Sequence, residues 1–265
     1  MAGDRERTIE ALLAPPAGHP YGKWRGAHWR LVSATELGVA DGRAWPLADD
    51  VLEWLASPTR RVRVLPGLPR RHASQEGNAI LACTRVGLGQ DARVLTLVDL
   101  LLESQWPDGG WNCDERPQAH HSSFHESCAP MLGLAEHALA TGDRRSLQAA
   151  ERAADFFLRH RLFRSESSGR VIHHEFVKLH YPPYWHYDFL RGLLGLQRLG
   201  RLGDARAGEA LDLLRSKRRP DGRWKADGRR YWNPGTEVVD WTSGLAADLL
   251  TEAAERVLTD PSAGA

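Results

Sequence analysis

Apolar residues recur along this chain at helical spacing, in runs that open at a cap or a proline and stop at glycine. Residues 24–37 carry Ala27, Leu31, Ala34 and Thr35 on one side, with Gly38 as the stop. Pro46 opens a second helix to about residue 56, with Val51, Leu52 and Leu55 together. A third spans 74–86 ahead of Gly87, and a fourth runs from Asp91 to Gln105. The pattern continues over 122–140, about 145–160, about 185–199, 205–216 and about 238–258, after a short lead-in helix at 8–13. Residues 58–69 read as an Arg- and Pro-rich linker. Residues 165–183 read as irregular, with Val171-Ile172 and Phe176-Val177 as a candidate short hairpin. No convincing run of strands appears, so the prediction is all-α.

The helices come in pairs. First members start near Trp24, Ser74, Ser122, Trp185 and Val238, a period of roughly 50 residues, which is the signature of stacked helix-pair repeats. These first members are rich in small residues (Gly77, Ala79, Ala129, Gly133, Gly192, Gly195), as an inner ring buried on both sides requires. The second members are amphipathic and suit an outer ring. The expectation is one (α/α) toroid domain over 1–265 with about five pairs, a lead-in over about 1–20 and a flexible tail over about 259–265.

One stretch shows how pairs are joined. Gln105-Trp106-Pro107-Asp108-Gly109-Gly110-Trp111 is a turn: Pro107 fixes φ, Asp108 can bond its own backbone, and the two glycines allow positive φ. Ser122 or Ser123 then caps the next apolar run. A shorter copy stands at Arg219-Pro220-Asp221-Gly222-Arg223-Trp224, with Asp240-Trp241-Thr242 before the last helix.

The segment 105–111 resembles the QW motif of squalene-hopene and oxidosqualene cyclases, and Asp221–Trp224 resembles a degenerate copy. The helix-pair period is similar to the toroid shared by those cyclases and protein prenyltransferase β-subunits. Ser122-Ser123-Phe124-His125-Glu126 and Trp185-His186-Tyr187-Asp188-Phe189-Leu190 also resemble a group of short bacterial squalene cyclase-like or prenyltransferase-like chains. The period covers most of the chain, the specific motifs a small part of it. The resemblance implies an enzyme acting on an apolar, isoprenoid-type small molecule in a central cavity. Departures are clear: the chain holds about one helical domain, and the DxDD acid motif is absent. Val238-Val239-Asp240-Trp241-Thr242-Ser243 is similar to the Asp-Cys-Thr-Ala segment of oxidosqualene cyclases but lacks its Cys, which puts Asp240 in doubt as a protonating acid.

A toroid gathers the starts of its first members at one mouth. There the chain places Glu76 and Asn78, His125 and Glu126, His186 and Asp188, and Asp240 and Thr242. Convergent His and carboxylates suit general acid–base work, so His125, Glu126, His186, Asp188 and Asp240 are the catalytic candidates. Each alone is also an ordinary helix cap or dipole partner. Glu76, Tyr184, Trp185, Tyr187 and Trp241 are the substrate-binding candidates, the aromatics through ring faces that stabilise a cation. Tyr181, Tyr184 and Trp185 could equally plug one end of the ring.

Cys113, His121, His125 and His186 form a loose metal-ligand set, with zinc as the candidate cofactor, and Asp114 and His120 stand nearby. The resemblance supports His125, because prenyltransferases bind zinc with an Asp, a Cys and a His at inner-helix starts; their Asp-x-Cys pair has no match here. The competing readings are a zinc-dependent enzyme on another substrate and a non-catalytic helical-repeat binding module.

Composition narrows the partners. The net charge is +1 over 265 residues, so there is no electrostatic footprint of a nucleic-acid binder. No apolar run approaches the ~20 residues of a transmembrane segment. The first residues carry Asp4, Glu6 and Glu10 rather than a signal peptide, and three cysteines make no disulfide framework. Cys83 and Cys128 sit among apolar neighbours and read as core. The chain reads as cytoplasmic, and nothing in it sets an oligomeric state.

Overall fold

The computed structural model describes residues 2–57, 62–233, 238–242 and 244–264, and the segments 58–61 and 234–237 and Ser243 lie outside that description. Among the described residues the chain is mostly helical. The α-helices are α1 (Ala2–Leu13), α2 (Ala27–Glu36), α3 (Trp45–Leu55), α4 (Ala73–Cys83), α5 (Ala92–Ser104), α6 (Phe124–Thr141), α7 (Arg144–Arg159), α8 (Phe189–Arg198), α9 (Gly208–Ser216) and α10 (Leu245–Leu258). Local chemistry sets several starts. Asp91 accepts from the Arg93 amide, Ser123 from Glu126, and Asp143 from Arg145 and Ser146. Gly142, at φ 76°, ends α6 in the left-handed conformation.

Pairs form in sequence order. α2 packs on α3, α4 on α5, α6 on α7 and α8 on α9, and the first members also pack on one another from α2 through α4, α6 and α8 to α10. Helices α4 and α6 meet backbone to backbone. A Cβ on Gly77 would stand 2.3 Å from the Pro130 amide nitrogen, and one on Gly133 would stand 2.3 Å from the Gly77 carbonyl oxygen. The lead-in helix α1 reaches both ends of the series: Arg5 Nε donates to Leu37 O at the end of α2 (3.2 Å), and Arg5 Nη1 lies 3.1 Å from Glu252 Oε1 on α10.

The two turns are built alike. The Trp111 indole N–H donates to Leu101 O (3.0 Å) and its amide to Ser127 Oγ (2.9 Å). The Trp224 indole N–H donates to Leu214 O (2.8 Å) and its amide to Thr251 Oγ1 (3.1 Å). Each tryptophan therefore closes the helix before it and holds the helix after it. In the first turn Gln105 Nε2 also donates to Gly109 O and to Ala149 O on α7 (2.8 and 2.9 Å), while Asp108 Oδ2 accepts from the Ser122 amide (2.8 Å). Gly109 has φ 97°, and a Cβ there would sit 2.3 Å from Arg152 O.

Five expectations need correction. Strands exist: β1 (Arg63–Leu65) and β2 (Leu68–Arg70) form an antiparallel hairpin inside the predicted linker, turning at Gly67, where φ is 78°. Residues His174–Val177 are a 3-10 turn and Val171 bridges Arg164 instead, so the candidate hairpin there does not form. Its reason is Glu175, which is drawn inward to His180. Helix α8 starts at Phe189, because the Asp188 side chain caps it through the Arg191 amide and Pro182-Pro183 lack amide hydrogens. Helix α10 starts at Leu245, so Asp240 and Trp241 precede it. Over the predicted tail, Pro261–Gly264 forms a 3-10 turn whose Ala263 carbonyl accepts from Arg215 Nη2 (3.1 Å).

Candidate functional site

A cavity of about 850 Å³ opens among α1, α2, α4, α6, α8 and α10. Its apolar wall includes Leu81, Leu132, Leu190, Leu194, Leu249 and Leu250. Its charged lining comes mainly from the C-terminal halves of the first-member helices. Two guanidiniums converge on Glu136: Arg198 Nη2 at 2.9 Å and Arg85 Nε at 3.6 Å. Arg191, itself buried, stands 3.7 Å from Glu36, and Arg5 pairs with Glu252. Arg256 also lines the cavity and has no carboxylate at ion-pair distance among the described residues. Burial holds the Arg85 and Arg256 guanidiniums below their ordinary value, and the neighbouring Arg198 adds to this in both cases. The lining thus carries more positive charge than its carboxylates offset.

One wall of the cavity is the segment 178–188. Tyr181 reaches inward and its hydroxyl donates to Glu36 Oε2 (3.2 Å); burial, then Glu36, keep that phenol protonated far above its ordinary range. Behind it lies a buried acid–imidazole–acid array. His180 Nε2 is 2.8 Å from Glu175 Oε2 and Nδ1 is 3.1 Å from Asp188 Oδ2, all three residues being under 5% exposed. Burial alone would lower the His180 pKa, but the bonds to Asp188 and Glu175 outweigh it and raise the value. Burial would raise Glu175, yet the Arg229 amide, His180 and Lys178 hold it at about 2. With both ring nitrogens bonded, His180 binds the segment together and has no nitrogen left to serve a ligand.

The sequence candidates divide between places. Asp188 lines the cavity while capping α8. His125 and His186 lie in an aromatic cluster and are not among the cavity's lining residues. The His125 and His186 rings are edge to face at 5.9 Å, and His125 Nδ1 accepts from the Tyr187 amide (2.9 Å). His186 lies flat between Trp185 (3.9 Å) and Tyr231 (3.4 Å), its Nδ1–H donating to Pro183 O (3.1 Å). Burial lowers these imidazoles to about 4 and about 3, so both are neutral at pH 7. Tyr184 stacks on Trp24 at 3.8 Å, and Tyr187 is buried with its hydroxyl on Leu162 O (2.6 Å). Trp241 is buried and meets Tyr181 edge to face. Asp240 is exposed and accepts from the Thr242 amide and hydroxyl (2.9 and 2.6 Å). Glu76 is buried beside Arg71 (3.1 Å), and Asn78 is buried with neither side-chain atom hydrogen-bonded among the described residues.

His72, Cys113 and Glu126 form the group of three whose donor atoms all lie within 4.8 Å of one another. Cys113 and Glu126 were candidates; His72 was not, and His121, His125 and His186 lie outside this group. His121 is exposed, its carbonyl held by Asn112 Nδ2 (2.8 Å). Glu175 and His180 belong to a His-rich irregular stretch that the sequence marks as a candidate functional loop without giving either a role, and the arginines of the cavity were not among the candidates. A signal existed for the charged lining: Glu36 and Arg198 end first-member helices, Arg85 follows one, and Glu136 stands in the second half of α6.

No family model, curated protein or solved structure matches this chain.

Proposed function

We propose that the helix pairs close into an (α/α) toroid, and that its cavity binds an amphiphile, an isoprenoid-type chain bearing an anionic head, as substrate of a squalene cyclase-like or prenyltransferase-like enzyme. Ring closure is supported by α1, which bridges α10 and α2 through Arg5. The ligand class rests on one observation: a leucine-walled cavity whose arginines exceed their carboxylate partners. An anionic ligand group would supply a partner for the excess positive charge. At about 850 Å³ the volume is that of a small-molecule site. Tyr181 and Glu36, hydrogen-bonded in the wall, are the proton-transfer pair within reach of the bound chain.

A thermal-shift series tests both halves of the ligand. Farnesyl diphosphate should raise the Tm more than farnesol or inorganic diphosphate alone, and Arg256→Gln should remove most of that difference. Equal shifts from farnesol and its diphosphate, or no shift from either, would refute the reading. Release of diphosphate on incubation separates an enzyme from a binding module.

A further inference from the structure

The geometry points to a second site, outside the cavity: we infer that His72, Cys113 and Glu126 bind one zinc ion, with water in the fourth position. The inference is independent of the cavity reading. An imidazole nitrogen, a thiolate and a carboxylate oxygen are the donors zinc takes, and three protein ligands with one open position form the arrangement of a reactive rather than a purely structural site. At metal–ligand bonds of ~2.0–2.3 Å, tetrahedral donors stand roughly 3.3–3.8 Å apart. His72 Nδ1 and Glu126 Oε1 are 3.8 Å apart, and all three donors fall within 4.8 Å. Of the pair His72 and Glu126, His72 lies at the surface, its side chain 64% exposed, while Glu126 is buried.

The backbone fixes the three ligands relative to one another. The Arg71 amide donates to Asn112 O (2.9 Å), placing residue 72 beside residue 113. The Ser123 amide donates to Trp111 O (2.8 Å), and the Trp111 amide to Ser127 Oγ (2.9 Å), which ties the Cys113 segment to the first turn of α6, where Glu126 lies. Glu126 is oriented from behind, since its other oxygen, Oε2, accepts from the Ser74 amide (2.9 Å) and leaves Oε1 turned to His72. The resemblance noted in the sequence implies zinc on His125; this set uses its neighbour Glu126 and a histidine from the start of α4. A bound ion would also join the starts of α4 and α6 to the Trp106–Trp111 turn.

Elemental analysis of the purified full-length protein, followed by apo-protein titrated with zinc or cobalt(II), tests this. The expected result is one ion per chain and a cobalt–thiolate charge-transfer band. Cys113→Ser should abolish the band, and His72→Ala, at an exposed position that leaves the fold intact by circular dichroism, should lower affinity at least tenfold. Glu126→Gln, which keeps an acceptor for Ser74, should do likewise, while His121→Ala and His125→Ala should bind as the unaltered chain does. Failure of apo-protein to take up a stoichiometric ion, or unchanged affinity in His72→Ala, would overturn the inference.

Discussion

At the residue scale, tryptophan and glycine carry the joins between helices. Trp111 is fully buried, and its indole and amide close one helix and hold the next. Trp111→Ala should therefore cost about 3–5 kcal/mol, a fall in Tm on the order of 10 °C. Trp224→Ala should behave alike, since Trp224 repeats both bonds. Thermal melts check this; an unchanged Tm for either variant would show that the turn does not hold the pair. These residues were legible because a turn is local chemistry: proline, aspartate and glycine act within a few positions of themselves. His72 and His180 were not legible, because each gains its meaning from residues distant in sequence or from a loop whose path no spacing dictates.

At the element scale, the segment 178–188 behaves as a wall held by charge. His180 faces Glu175 and Asp188, with Tyr231 against its ring and with Lys178 and the Arg229 amide on Glu175. Because the folded-state pKa of His180 is raised above 6.5, its stabilisation is complete below that value and is lost as pH rises through the folded value. Glu175, depressed from 4.5 to about 2, contributes fully above 4.5 and loses its contribution as pH falls towards 2. The stability difference between the unaltered chain and His180→Gln should thus be largest between these limits and shrink with rising pH above about 6.5. Denaturant melts across that range measure it, and a pH-independent difference would contradict the array. Helix content and pairing were readable from periodicity, and most helix bounds fall within two or three residues of expectation. The start of α8 was not, because Asp188 acts as the cap and the three aromatic residues before it turn to the ring cluster instead of continuing the helix. The β1–β2 hairpin was hidden by its three-residue strands, too short to show alternation.

At the scale of the whole molecule, the described residues hold no helix long and apolar enough to cross a membrane. What the first-member helices share is a charged residue near the C-terminal end, which turns an apolar interior into a cavity with a polar half. Periodicity located those helices and drew attention to the polar residues about their starts; the ends, where Arg85, Glu136, Arg198 and Arg256 meet, lie too far apart in sequence to be seen as one set. Hydrogen exchange with and without farnesyl diphosphate would locate the ligand on the helices. Ligand-dependent protection is expected to be confined to the end of α4, the second half of α6, and α8 and α10, and to be diminished in Arg256→Gln. Protection centred on His125, Trp185 and His186 instead, with none at those helix ends, would contradict that placement.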